Sequence, residues 1–170
     1  ANGYLFHQFF AGCANTREDQ YGGPYENRTR FFFEVLEEIA RFVPWERIGV
    51  RINPMMNKVH GILVDHDSLP VHIHLVRRAS EHPLAFVHVL EPFLPGQLDG
   101  SPWGVTDVAA ALRPHAGMPL LSCGGFDQRR AEDWIRQGRC EAVAFGRAFI
   151  ANPDLPERFR LGTPLNTPDM

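Results

Sequence analysis

The chain has little to offer a membrane. No apolar run reaches the roughly eighteen residues that a spanning helix needs. Basic residues form no block and the formal net charge is −3, which argues against a nucleic-acid partner. Cysteine is scarce: Cys13, Cys123 and Cys140 are widely spaced and odd in number, so they fit neither a disulfide framework nor a zinc site and suit a reducing cytoplasm. The opening Ala1-Asn2-Gly3-Tyr4 lacks the charged and apolar regions of a signal peptide, and the chain starts without Met. Low-complexity stretches and linkers are also missing.

What is present is a 170-residue chain of 44% hydrophobic content, ordinary for one globular domain. Four short apolar runs read as buried strands: Arg47 to Asn53, Ala85 to Leu90, Pro119 to Ser122 and Ala142 to Phe145. Helical periodicity fills the gaps. From Tyr25 to Phe42 and just beyond, Phe32, Val35, Leu36, Ile39 and Val43 share a face, with Pro24 suited to the first turn. Asp67 or Ser68 could cap a helix with Leu69, Ile73, Val76 and Ala79 inside. Val105, Val108, Ala109 and Leu112 form a third stripe. Asp127 could cap a fourth helix carrying Ala131, Trp134 and Ile135, closed by Gly138, and Asn152 to Phe159 starts a last short helix. This alternation predicts an α/β fold of parallel strands with right-handed crossovers. An open doubly wound sheet and part of a (β/α)8 barrel both fit, since a complete barrel needs about 250 residues.

Two glycine-rich strand ends carry the strongest chemical signal. Gly124-Gly125 follows the third strand and Gly146-Arg147 the fourth. Glycine lets backbone N–H groups approach an anion, a following helix adds its positive end, and arginine supplies a bidentate charge for phosphate. A barrel often places a phosphate site in the loops after its last two strands. The alternative is a tight turn beside a surface charge. Arg51 lies within the first strand, where a charge faces either a ligand or a neighbouring-strand carboxylate. Asn2 and Tyr4 point to one side if the backbone is extended; an amide and a phenol there could polarise an unsaturated carbonyl and protonate the adjacent carbon, whereas Asn-Gly also reads as a common turn near a fraying end. The mixed charges of Arg17 to Arg30 read as a structural loop bonded onto its own helix start. His72 and His74 diverge on a helix, so no metal site is expected, and His88 alone faces a barrel interior or its packing layer. The longest stretch without periodicity, Pro54 to His66, follows a strand end, where functional loops of parallel α/β folds lie.

Taken in order, these residues resemble the old yellow enzyme family of FMN-dependent ene-reductases and NADH:flavin oxidoreductases. The likeness rests on Ala1-Asn2-Gly3-Tyr4-Leu5 with His7-Gln8-Phe9, on Asn15 to Gly23 followed by Glu26 to Phe31, and on Arg47 to Arg51. It continues through Gly124-Gly125-Phe126, Ala144-Phe145-Gly146-Arg147 and Ile150 to Leu155. The resemblance implies the C-terminal half of a (β/α)8 barrel, residues 1–170 forming one partial domain with barrel strands five to eight. It implies Tyr4 as proton donor to the substrate α-carbon and Asn2 as one of two groups binding its carbonyl. Arg51 would lie against the flavin, and Gly124, Gly125, Gly146 and Arg147 would hold the FMN phosphate. Hydride would pass from NAD(P)H through FMN to an activated alkene of an enone-type substrate. Departures are Pro24, where a small polar residue is usual, and the absence of the first four strands and the family's C-terminal segment. Glu91-Pro92 and the loop to Trp103 fall in a variable region. Four strands alone expose two edges, so a missing N-terminal half-barrel or a homo-oligomer is the expected partner. A non-redox isomerase or cyclase using Tyr4 as acid, or a half-barrel that binds a partner chain, are the other readings.

Overall fold

A computed structural model describes residues 2–55, 57–93 and 102–169. Ala1, Met56, Met170 and most of the loop between Pro92 and Trp103 lie outside them. Four parallel strands, β1 (Gly49–Ile52), β2 (Phe86–Leu90), β3 (Leu120–Cys123) and β4 (Ala142–Ala144), form one sheet in chain order. The register pairs Arg51 with His88, His88 with Leu121, and Leu121 with Ala142. Helices α1 (Leu5–Phe10), α2 (Tyr25–Ala40), α3 (Ser68–Ala79), α4 (Val108–Leu112), α5 (Gln128–Arg136), α6 (Arg147–Ala151) and α7 (Leu155–Leu161) surround it, with 3-10 turns at Trp45–Arg47 and Arg113–His115. Four parallel strands in chain order, alternating with helices, make the arrangement of half a (β/α)8 barrel.

Period two along the strands divides the sheet into two faces. Val50, Ile52, Val87, Val89 and Leu120 are buried in one core with Leu75, Val76, Ala79, Leu112 and Trp134 of the helical layer. The opposite face carries Gly49, Arg51, Phe86, His88, Leu90, Leu121 and Ala142, and it stays open. In a closed barrel that face is the interior.

Most predicted elements appear in place, trimmed at their ends. Arg47 belongs to a 3-10 turn and Asn53 lies just past β1. Helix α2 stops at Ala40, and Ile39 and Val43 are exposed rather than core. Its buried face runs instead through Phe32, Phe33 and Leu36 back to Thr29 and Arg28. Those two polar groups tolerate burial because they are bonded: Thr29 Oγ1 donates to the Tyr25 carbonyl and Arg28 Nη1 to that of Phe10, at 2.8 and 3.0 Å. Asp67 occupies the N-cap position of α3, but its carboxylate accepts from Arg28 and Tyr25 instead. Val105 precedes α4 and packs on the core outside the helix. Ile135 on α5 is exposed, leaving Ala131 and Trp134 as its buried residues.

The Arg17 to Arg30 stretch does fold onto its own helix start. Asn15 Nδ2 donates to the carbonyls of Phe9 and Tyr21, Asn27 to Gly22 and Arg30 to Gln20, while Arg17 pairs with Asp19. The segment Asn2–Tyr4 is not extended. Asn2 and Gly3 have φ of 55° and 79°, a turn that leads into α1 with Tyr4 at its N-cap. The local Asn-Gly preference for left-handed backbone outweighs the period-two reading.

Candidate active site

A cavity of about 350 Å³ opens on the interior face at the C-terminal ends of the strands. Alternate strand positions supply its floor: Arg51, His88, Leu90, Cys123 and Ala144. The turns after β3 and β4 supply its rim, with Gly124, Gly125, Gly146 and Arg147. Five of the seven residues singled out from the sequence therefore meet in one place.

The β3 turn admits only glycine where it begins. Gly124 has φ +123°, and a Cβ there would stand 2.7 Å from the Glu91 carbonyl oxygen; Gly125 follows at φ +62°. Among the described residues, no acceptor takes the backbone N–H groups of Gly124, Gly125, Gly146 or Arg147. Unspent N–H donors on glycine turns beside an exposed guanidinium form a cradle for an anion. Helix α6, which begins at Arg147, has only five residues, so its dipole adds less than the sequence suggested. The fit to a flavin phosphate rests on the donors and the arginine.

Arg51 is exposed on the open face, and no carboxylate among the described residues lies within 4 Å of it. The ion-pair alternative is thus not realised; its nearest polar contact is the Cys123 thiol, 3.6 Å from Nη2. The surroundings respond to that charge. Burial, and then the Arg51 charge, hold the His88 imidazole below its usual range. Burial pushes the Cys123 thiol up, and Arg51 partly offsets this. His88 Nε2 is buried with no hydrogen-bond partner among the described residues.

Asn2 and Tyr4 stand at the β1 side and do not line this cavity. Asn2 Oδ1 accepts from Asn53 Nδ2 at 3.1 Å, which ties the N-terminal turn to the end of β1. Tyr4 is 62% exposed, its ring 5.3 Å from that of His60 in the loop after β1. That loop, the aperiodic stretch from Pro54, is fastened by Leu63 N–H on Cys13 Sγ and by Trp103 Nε1 on the Asp65 carbonyl.

Glu91, in a stretch whose sequence resembles a variable region, is fully buried under the β3 turn. Its carboxylate accepts from the N–H groups of Val108 and Ala109 and from Ser122 Oγ, at 2.6, 2.9 and 2.8 Å. Burial raises its pKa, and the three donors oppose the rise. Phe93, which also lines the cavity, carried no pattern in the sequence, and Phe126 stood out only as part of Gly124-Gly125-Phe126; Leu90 and Cys123 could have been found by counting in twos from His88 and Leu121.

Residues 1–166 match the NADH:flavin oxidoreductase / NADH oxidase family. The chain belongs to that family. Among curated relatives, putative 12-oxophytodienoate reductase 4 of Oryza sativa is 35% identical over 98% of this chain and 43% of its own length. 12-Oxophytodienoate reductase 2 of Arabidopsis thaliana is 32% identical over 98% of this chain and 43% of its own. Among solved structures, morphinone reductase superposes with a TM-score of 0.89 at 40% identity, covering 99% of this chain and 44% of that one. The old yellow enzyme from Trypanosoma cruzi gives 0.87 at 33% identity over 99% and 43%. The chain of this NADH:flavin oxidoreductase family member thus spans less than half the length of these relatives. Among its described residues, no helix is long and apolar enough to cross a membrane.

Proposed function

We propose that this chain supplies strands five to eight of an FMN-dependent oxidoreductase that reduces the activated C=C bond of an α,β-unsaturated carbonyl compound at the expense of NAD(P)H. It would do so as the C-terminal half of a barrel that an N-terminal half completes, with residues 1–170 as one partial domain. The observation that carries this reading is the convergence of unspent N–H donors at Gly124, Gly125 and Gly146 with Arg147, on the same open face as the carboxylate-free Arg51. The relatives named as 12-oxophytodienoate and morphinone reductases support an enone-type substrate. Three free thiols, Cys13, Cys123 and Cys140, agree with a reducing cytoplasm as the working compartment.

FMN, when bound, supplies the two-electron exchange between the nicotinamide nucleotide and the alkene. The roles of the chain are placement and charge. Gly124, Gly125, Gly146 and Arg147 would hold the phosphate. Arg51 would stabilise negative charge on the flavin ring. Asn2 would donate its amide hydrogen to the substrate carbonyl, its Oδ1 being engaged by Asn53 and its Nδ2 therefore directed elsewhere. Tyr4, exposed beside it, would give its phenolic proton to the α-carbon.

The test uses the chain together with a separately produced N-terminal half of a close relative. Mixing the two with FMN should give a retained yellow flavin band, quenched flavin fluorescence, and NAD(P)H oxidation that depends on an enone. Tyr4→Phe should then lower turnover about 10²- to 10⁴-fold while flavin is retained. Failure of the assembled halves to retain FMN would contradict the reading.

A further inference from the structure

Beside the Gly124–Gly125 turn, and not among the residues that line the cavity, stands a cation that the reaction as proposed does not use. Arg130 lies in the first turn of α5, and its Nη1 donates to both carbonyl oxygens of the turn, at 3.4 Å to Gly124 and 3.5 Å to Gly125. Its guanidinium sits over an edge-to-face aromatic pair, 4.4 Å from the Phe126 ring centroid and 5.0 Å from that of Trp134, the two centroids being 4.8 Å apart. Its own backbone N–H is fixed by the N-cap Asp127, whose Oδ1 accepts it at 2.7 Å. Trp134 is buried and is flanked in turn by Arg139, which is anchored to Asp107. Among the described residues, no carboxylate lies within 4 Å of the Arg130 guanidinium, so its charge is not cancelled locally.

From this arrangement we infer that Arg130 is a positioning residue for the anion-binding turn: it grips the carbonyl oxygens of Gly124 and Gly125 and so directs the other ends of those two peptide units, the N–H groups of Gly125 and Phe126, at a phosphate. Two physical effects act together. A glycine pair has wide conformational freedom, and an unpinned turn would lose its donor geometry for much of the time. A cation on the carbonyl end also polarises each peptide, which strengthens the N–H as a donor to an anion. The aromatic pair matters because an arginine left to solvent would not hold two long hydrogen bonds; cation–π contact with Phe126 and Trp134 restricts its planar fork in advance. The inference rests on the FMN reading of the cavity and adds a residue that does not touch the ligand.

A loss of fold would weaken every flavin alike, whereas a loss of the turn's donor geometry weakens only flavins that carry the phosphate. The experiment therefore compares FMN with riboflavin, titrated by fluorescence quenching into the assembled halves, for wild type, Arg130→Gln and Arg130→Met. The methionine keeps an unbranched stem against Phe126 and Trp134 and guards against a misfolded glutamine variant. Wild type should prefer FMN over riboflavin, and both variants should lower that preference by about ten-fold or more with riboflavin affinity little changed. Raised salt should erode the wild-type preference more than what remains in the variants. If wild type prefers FMN and both variants keep the same preference, Arg130 has no positioning role and the FMN reading stands. If wild type binds the two flavins equally, the phosphate reading itself falls, and this inference with it.

Discussion

At Gly124 the backbone runs at φ +123° with the Glu91 carbonyl oxygen 2.7 Å from where a methyl group would sit. Gly124→Ala should therefore cost roughly 1–3 kcal/mol of stability and also disturb the donor turn, read as a lower urea midpoint and a lower flavin content. A second residue-scale consequence concerns two buried imidazoles whose rings meet edge to face at 5.6 Å, His7 on α1 and His72 on α3. His7 Nδ1 accepts from Gly3 N–H, and His72 Nδ1 lies 2.7 Å from the Ser68 carbonyl, so His72 carries its proton there. Burial lowers their pKa values to about 3 and about 4 from 6.5. Below pH 6.5 the unfolded chain thus takes up protons that the folded chain refuses. Stability is complete above that pH and falls below it by about 1.4 kcal/mol per histidine and pH unit. Denaturant midpoints at about pH 7 and about pH 5 measure the slope, which the double variant His7→Gln/His72→Gln should flatten; a pH-independent wild-type midpoint contradicts it.

At the scale of elements, β2, β3 and α4 are joined by the single carboxylate of Glu91, which caps the first N–H groups of α4 and holds Ser122 of β3. Glu91→Ala leaves three buried donors without an acceptor and should cost on the order of 3 kcal/mol or more, seen as a fall in melting temperature. Asp127→Ala removes only the exposed cap of α5 and should cost about 1 kcal/mol. The contrast bears on what the sequence could disclose. Strand and helix cores were legible because period two and period 3.6 depend on nearest neighbours, and Asp127 and Gly138 act within a turn of their own helix. Gly124, Gly125, Gly146 and Arg147 were legible because turn chemistry is local. Glu91 was not: its partners lie 17 and more residues away, and only the folded chain brings them near. The same holds for Arg28 and Thr29, polar residues that take core positions on α2 from Ile39 and Val43. At Asn2 and Tyr4 the Asn-Gly turn holds and the extended alternative, which needs φ below zero at Asn2, does not.

For the whole molecule, the open face is the dominant feature. Leu90, Phe93 and Phe126 line it with Arg51 and His88, and among the described residues strands β1 and β4 each have one unpaired edge. Supplying an N-terminal half should bury this face, so binding of a dye sensitive to apolar surface should fall and the two halves should elute together in size-exclusion chromatography; separate elution with unchanged dye binding would count against barrel completion. The sheet order has a kinetic consequence as well. Among the described residues each strand of this half pairs with its sequence neighbours, so none of these three ladders waits for a distant segment to emerge. A chain leaving the ribosome can add β2 to β1, β3 to β2 and β4 to β3 as each is made, and loop-closure entropy is met in small instalments. Assembly of this half should accordingly advance in step with translation, with the phosphate turn at Gly146 and Arg147 among the last parts to form.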